Sequence, residues 1–285
     1  MSRIAERFLA LRAAGRRALV PYLVAGDPRP ELTVDLLCRL VDAGADLLEL
    51  GVPFSDPMSE GPVIQRAHER ALAQGVRLRG VLETVAAFRR RDDRTPLLLM
   101  GYANPVEHMG HAQFADAAAA AGVDALLTVD IPPEEVTRVN RELRRVGMDN
   151  IFLIAPTTPP GRMDLIAAEA SGFIYYVSLK GVTGAGNLDR EAVAAQVREI
   201  RRHTALPVCV GFGIKDGPSA AAVAQAADGV VVGSALVQCI ADCAAAGADD
   251  ERLLRVAGDM IADMRAHIDA AAGADIMPRE VGQRG

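Results

Sequence analysis

The chain has 285 residues, which at ~150 residues per domain allows about two domains, while a single α/β barrel alone fills ~250 or more. Half of it is hydrophobic and 24% is charged, a balance that excludes a disordered chain and supplies a sizeable core. With 31 basic and 37 acidic side chains the net charge is −6, which excludes a broad polyanion-binding surface, so no nucleic-acid partner is expected.

Lysine occurs only at Lys180 and Lys215, so amine chemistry has few places to occur. Cys38, Cys209, Cys239 and Cys243 form no CxxC pair and read as reduced core residues. No uninterrupted apolar run approaches the ~20 residues that cross a bilayer, so no membrane association and a cytoplasmic location are expected.

The opening segment, MSRIAERFLALRAAGRR, carries charges through its apolar stretch and predicts an amphipathic helix, not a signal peptide. A first strand follows at Ala18–Val24, with Pro21 inside it; the missing ladder donor demands a bulge or an unpaired position. Val34, Leu37 and Val41 have helical spacing. The second strand is predicted at Asp46–Leu50, and the gap after it holds two helices, from about Pro62 to Gln74 and from about Val81 to Arg91. Further strands are predicted at Leu97–Met100, Ala125–Val129, Ile151–Ile154, Ile174–Ser178, Val208–Val210 and Val230–Val232. Several are apolar at consecutive positions, as parallel strands covered on both faces require. Val193, Val197 and Ile200 mark a helix with Asp189 as N-cap. A last helix near Glu251–Ala270 would cap the barrel together with the N-terminal one, and the tail from about 273 lacks apolar period and is expected to be mobile. Eight strands separated by helices predict a (β/α)8 TIM barrel over residues 1–285, with an extra N-terminal helix and additional helices; a doubly wound open sheet is the alternative.

In such barrels, reacting groups stand at the C-terminal ends of strands, and phosphate often binds after strands seven and eight. Gly211-Phe212-Gly213 and Gly233-Ser234 occupy those places, the second opening a helix whose free N–H groups favour a phosphate dianion. Gly181 to Gly186 after strand six could add donors or act as a lid.

Glu49 is next to last in Leu47-Leu48-Glu49-Leu50. If Leu48 and Leu50 face the helices, alternation points Glu49 into the barrel mouth, where desolvation raises its pKa and suits it to acid and base work. A structural carboxylate paired with a buried arginine is the other reading. The following loop, Gly51 to Pro62, carries Asp56 and Glu60 and is long enough to bear function; cap or turn roles are open to both. His108 and His111 share the loop after strand three but lack a third ligand, so no metal site is expected; Cys239 and Cys243 share a helical face where packing outweighs ligation. Absence of GxxxxGK[ST], GxSxG and HExxH removes the usual support for ATP-driven, acyl-serine and zincin chemistry.

Leu48-Glu49-Leu50-Gly51-Val52-Pro53-Phe54-Ser55-Asp56-Pro57, followed in order by Gly181-Val182-Thr183-Gly184 and Gly211-Phe212-Gly213-Ile214, closely resembles the alpha subunits of tryptophan synthase, with similarity from the N-terminal helix to about Ala270. The resemblance implies a barrel lyase that splits indole-3-glycerol phosphate into indole and glyceraldehyde 3-phosphate. It also implies a pyridoxal-phosphate-dependent beta subunit that receives the indole, within an alpha2beta2 heterotetramer, and no organic cofactor in this chain. Glu49 matches the family's acid/base, and Glu60 stands where the family usually has aspartate. One added methylene displaces that carboxylate by about an ångström, a shift that can cost ~100-fold in rate unless the loop compensates.

By the same resemblance, Gly184, Gly213, Gly233 and Ser234 hold the substrate phosphate. Tyr22, Phe54, Met100, Leu127, Leu153, Tyr175 and Phe212 wall the indole pocket. Asp56, Pro57, Asn104 and Pro105 face the partner or transmit closure, and Thr183 engages Asp56 when the lid closes. A Schiff-base aldolase using Lys180 and a non-catalytic allosteric subunit are the alternatives.

Overall fold

A computed structural model describes residues 2–178, 190–211 and 213–274. Eight parallel strands close into a barrel in chain order: β1 (Ala18–Val24), β2 (Leu48–Gly51), β3 (Leu97–Gly101), β4 (Ala125–Thr128), β5 (Asp149–Ile154), β6 (Ile174–Val177), β7 (Val208–Gly211) and β8 (Gly229–Val232). Because β8 pairs back onto β1, the open-sheet alternative is excluded.

Strand alternation divides the core in two. Leu48, Leu50, Leu97, Leu99 and Leu126 point outward into one apolar cluster with helices α2 (Thr33–Asp42) and α4 (Leu78–Arg89). Leu47, Leu98, Ala125, Leu127, Ile151 and Cys209 point inward into another. Helix α1 (Arg3–Ala13) sends Ile4, Phe8 and Leu11 into that inner cluster, with the Phe8 ring 5.9 Å from that of Phe173, and so plugs the end where the strands begin. The remaining helices are α3 (Pro62–Ala73), α5 (Ala103–Met109), α6 (His111–Ala121), α7 (Thr137–Arg145), α8 (Pro160–Glu169), α9 (Arg190–His203), α10 (Gly217–Ala224), α11 (Ser234–Ala245) and α12 (Asp250–Ala274).

Three expectations need correction. Helix α12 does not cap the barrel: Leu253, Ala257, Ile261 and Met264 belong to the outer cluster, and the helix lies against α2, α10 and α11. His108 and His111 are not in a loop but end α5 and begin α6; Gly110, at φ 88, supplies the left-handed break between them. The second strand starts at Leu48, two residues later than predicted, because Asp46 is used elsewhere. The Asp189 cap and the tail beyond 274 lie outside the described residues.

Asp46 and Pro21 together explain the barrel seam. Ala18–Pro21 pair with β8, whereas pairing with β2 begins only at Tyr22. Pro21's missing N–H would have pointed to the β2 side, as does that of Leu19, so the position stays unpaired there and β1 runs on without a bulge. Below it, the Leu19 N–H donates to the Asp46 carboxylate at 3.0 Å, and Arg265 of α12 donates to the same oxygen at 2.9 Å. The Asp46 N–H, which donates to Leu19 O at 2.9 Å, joins the Asp46 side chain and a distant helix in closing the half of the seam that lacks a second ladder.

Candidate active site

Leu48 and Leu50 belong to the outer cluster, so the intervening Glu49 faces the barrel interior, in register with Tyr22 on β1 and Leu98 on β3. It is 1% exposed, and its Oε1 has no hydrogen-bond partner among the described residues. Burial, followed by the charge of Glu60, pushes its carboxyl up to about 8. A carboxylate that needed neutralising in the core would have brought an arginine with it; among the described residues Glu49 has none.

Glu60 closes the loop between β2 and α3. It is half-buried, and desolvation pushes it up to about 7. Its backbone is held on both sides: the Glu60 N–H donates to Pro57 O at 3.1 Å, and Gln65 Nε2 donates to Glu60 O at 2.9 Å. One residue earlier, the Ser59 N–H donates to Tyr102 Oη at 3.0 Å, and the Tyr102 ring stacks on Phe54 at 4.9 Å. The extra methylene of a glutamate here therefore extends from an anchored backbone.

Two tyrosines cross the interior. Tyr22 and Tyr175 are both influenced by the charges of Glu49 and Glu60, and burial raises both phenols well above the usual range. Glycines make room for them: a Cβ on Gly51 would stand 2.3 Å from Tyr22 Oη, and one on Gly211 2.3 Å from Tyr175 Oη. The other edge of the Tyr22 ring lies by Gly233, whose Cβ would stand 3.7 Å from Cδ1. Tyr22 thus reaches from the strand bearing Glu49 to the start of α11.

Gly233 caps α11 without any side-chain hydrogen bond, leaving first-turn N–H groups free at the mouth. Ser234 is exposed beside them, and Gly213 takes the left-handed φ of 76 after β7. Because all strands run parallel, Glu49, Gly213, Gly233 and Ser234 belong to the same rim. Met100, Leu153 and Leu127 lie on inward-facing positions of β3, β5 and β4. Thr183, Gly184, Lys180 and Phe212 lie outside the described residues.

Beside the mouth is a groove of about 730 Å³ whose lining includes Pro53, Phe54, Asn104, Pro105 and His108. Phe54, expected in the indole pocket, is also among the residues that line this groove. Asp56 is exposed nearby and accepts from the Ser55 hydroxyl at 2.6 Å. Among the described residues no cluster of three or more His, Cys, Asp or Glu side chains is disposed to hold a metal ion, and no helix is long and apolar enough to cross a membrane.

A family model described as tryptophan synthase alpha chain matches residues 8–265. The chain belongs to the tryptophan synthase alpha chain family. It is 58% identical to the tryptophan synthase alpha chain of Thioalkalivibrio sulfidiphilus, over 94% of this chain and 100% of the relative. With that of Ralstonia nicotianae it is 55% identical, over 95% and 100%. The crystal structure of tryptophan synthase subunit alpha from Legionella pneumophila superposes with a TM-score of 0.89 at 46% identity, covering 95% of this chain and 99% of that one. The activity of this chain is cleavage of indole-3-glycerol phosphate to indole and glyceraldehyde 3-phosphate, a lyase step of tryptophan biosynthesis.

Sequence reasoning overlooked His68 and Tyr102. His68 sits on the buried face of α3 with Ile64, Ala67 and Ala71. A lone histidine at i and i+3/i+4 spacing with aliphatic residues was the available signal.

Proposed function

We propose that Glu49 carries the proton transfers of indole-3-glycerol phosphate cleavage and Glu60 orients the indole nitrogen and stabilises its charge, with the phosphate held at Gly184, Gly213, Gly233 and Ser234. Near neutrality the raised pKa keeps Glu49 protonated, so it can deliver its proton to indole C3. The ring then carries positive charge toward its nitrogen, where the Glu60 carboxylate accepts the N–H and stabilises that charge. Glu49, now ionised, takes the proton of the glycerol hydroxyl adjoining the ring. The C–C bond breaks, its electrons return to the indole, and the hydroxyl carbon becomes the aldehyde of glyceraldehyde 3-phosphate. The free N–H groups at α11 bind the other end of the substrate, and Tyr22, Met100, Leu127, Leu153, Tyr175 and Phe212 supply apolar wall.

The observation that carries this reading is the lone buried carboxylate of Glu49 on the rim that also presents the α11 N-terminus, with Tyr22 touching both sides. The groove with Asn104 and Pro105, together with exposed Asp56 and the 79% exposed Met58, supports docking of a pyridoxal-phosphate-dependent beta subunit that takes up the indole in an alpha2beta2 assembly. The alpha chain itself works without an organic cofactor, in the cytoplasm, as one barrel domain; Asp56, Pro57 and Thr183 link closure of the mouth to the partner.

The test is steady-state cleavage of indole-3-glycerol phosphate, with and without the beta subunit. Glu49→Gln is expected to lose about 10³-fold in kcat while retaining substrate binding. For the unaltered chain, kcat falls below about 7 as Glu60 gains a proton and above about 8 as Glu49 loses its own. Near-normal turnover by Glu49→Gln would remove Glu49 from the mechanism, and no cleavage by the unaltered chain under either condition would make it a regulatory subunit.

A further inference from the structure

Both ring nitrogens of His68 are engaged, although the proton transfers above do not use them. The Phe54 N–H donates to His68 Nδ1 at 3.0 Å, so Nδ1 must present a lone pair. The neutral ring then carries its hydrogen on Nε2, which faces Tyr22 Oη at 3.4 Å. A doubly protonated ring would set N–H against N–H at Phe54, and burial pushes the imidazole down to about 4, so His68 is neutral at working pH. Nε2–H is therefore the donor and Tyr22 Oη the acceptor, over a long contact of the kind that tightens when substrate binds.

This assignment leaves the phenolic hydrogen of Tyr22 free for another acceptor. Oη lies over Gly51, two residues beyond Glu49 on the same inward face, and Tyr22 is the register partner of Glu49 itself. The titratable groups around Tyr22 are Glu49 on β2, Glu60 on the following loop, His68 on α3, Tyr102 after β3 and Tyr175 on β6. Cys209 on β7 adds to those near Glu49. Among them only the two carboxylates become pure acceptors within the working pH range, because Tyr102, Tyr175 and Cys209 are pushed up by burial and keep their hydrogens.

We propose that His68 is a positioning residue that fixes the Tyr22 hydroxyl so that its hydrogen is presented to Glu49 as that carboxyl gives up its proton. This rests on reading Glu49 as the proton donor. A carboxylate that ionises beside a hydroxyl whose hydrogen is free gains a charge-assisted donor it lacks while protonated, so the contact favours the transition state over the ground state and acts on kcat more than on KM. It also assigns Tyr22 a polar role beyond that of an aromatic wall.

The experiment is indole-3-glycerol phosphate cleavage by the full chain with its beta subunit, from pH 6 to 9, for Tyr22→Phe, His68→Phe, the double variant and Glu49→Gln. Tyr22→Phe removes one oxygen and is expected to lower kcat about tenfold with KM changed less than about twofold. Loss of a donor to the carboxylate raises the Glu49 pKa, so the high-pH limb of kcat moves further up. His68→Phe is expected to lower kcat similarly alone and to add nothing in the Tyr22→Phe background, a non-additivity that general loosening of α3 would not produce. If His68→Phe fails to fold, the Tyr22→Phe profile decides. Unchanged kcat and an unmoved limb in Tyr22→Phe, or additive losses in the double variant, overturn the proposal. An inactive Glu49→Gln beside a normal Tyr22→Phe sinks the positioning role alone, whereas an active Glu49→Gln sinks the reading beneath it.

Discussion

Asp46 and Glu49 stand three residues apart, one just before β2 and one within it, and the protein treats them in opposite ways. Asp46 is 3% exposed and Glu49 1% exposed, so desolvation bears on both. Burial raises the carboxyl of Asp46, but the Leu19 N–H and Arg265 pull it back toward the ionised form. Asp124, at the same lower end, accepts from Arg3, Arg89 and the Leu97 N–H, each at 2.7 to 2.8 Å. Glu49 at the mouth is buried with no cation beside it among the described residues, and so retains a proton. The lower end uses carboxylates as fasteners, while the upper end leaves one unneutralised and available for chemistry.

The sharpest way to break this contrast is Asp124→Ala, which leaves Arg89 buried without its carboxylate. It is expected to cost roughly 4 kcal/mol in chemical denaturation while kcat per folded molecule stays unchanged. A large loss of kcat in the folded fraction would mean that the two ends are not separate.

Glu49→Gln is expected to move stability the other way. In the unfolded chain this carboxyl ionises near 4.5, whereas in the fold it keeps its proton to about 8. The unaltered protein therefore loses stability as pH rises between those values. The variant should be more stable by about 3 kcal/mol at pH 7. Its advantage should vanish below pH 4.5 and level off above 8; equal stability across that range would show that Glu49 is not a desolvated acid.

The smallest expected effect concerns the anion side of the mouth. Ser234→Asp sets like charge against the phosphate and should raise KM for indole-3-glycerol phosphate about tenfold, or ~1.4 kcal/mol, with little change in kcat. An unchanged KM would detach α11 from substrate binding.

Much of this contrast was legible in the sequence at the mouth and little of it at the base. Alternation within Leu47-Leu48-Glu49-Leu50 was enough to aim Glu49 inward, since the flanking leucines had only the helical shell to enter. Glycines after β7 and β8 marked the proposed anion side, because their position follows from strand order alone. The fasteners could not be read: Arg265 meets Asp46 across 219 residues and Arg3 meets Asp124 across 121, and no local period encodes such meetings. His68 was hidden for the same reason, since its importance lies in Tyr22 and Phe54, which come from other elements. The break between α5 and α6 was missed because a single glycine between two helices reads as a loop.

The seam at Pro21 carries a consequence for how the molecule is made. Half of β1 has β8 as its sole ladder neighbour, and the clasp on its open side includes a guanidinium near the end of the chain. Completing that clasp therefore brings together residues 219 positions apart, a loop closure that folding must complete before this flank has all its partners.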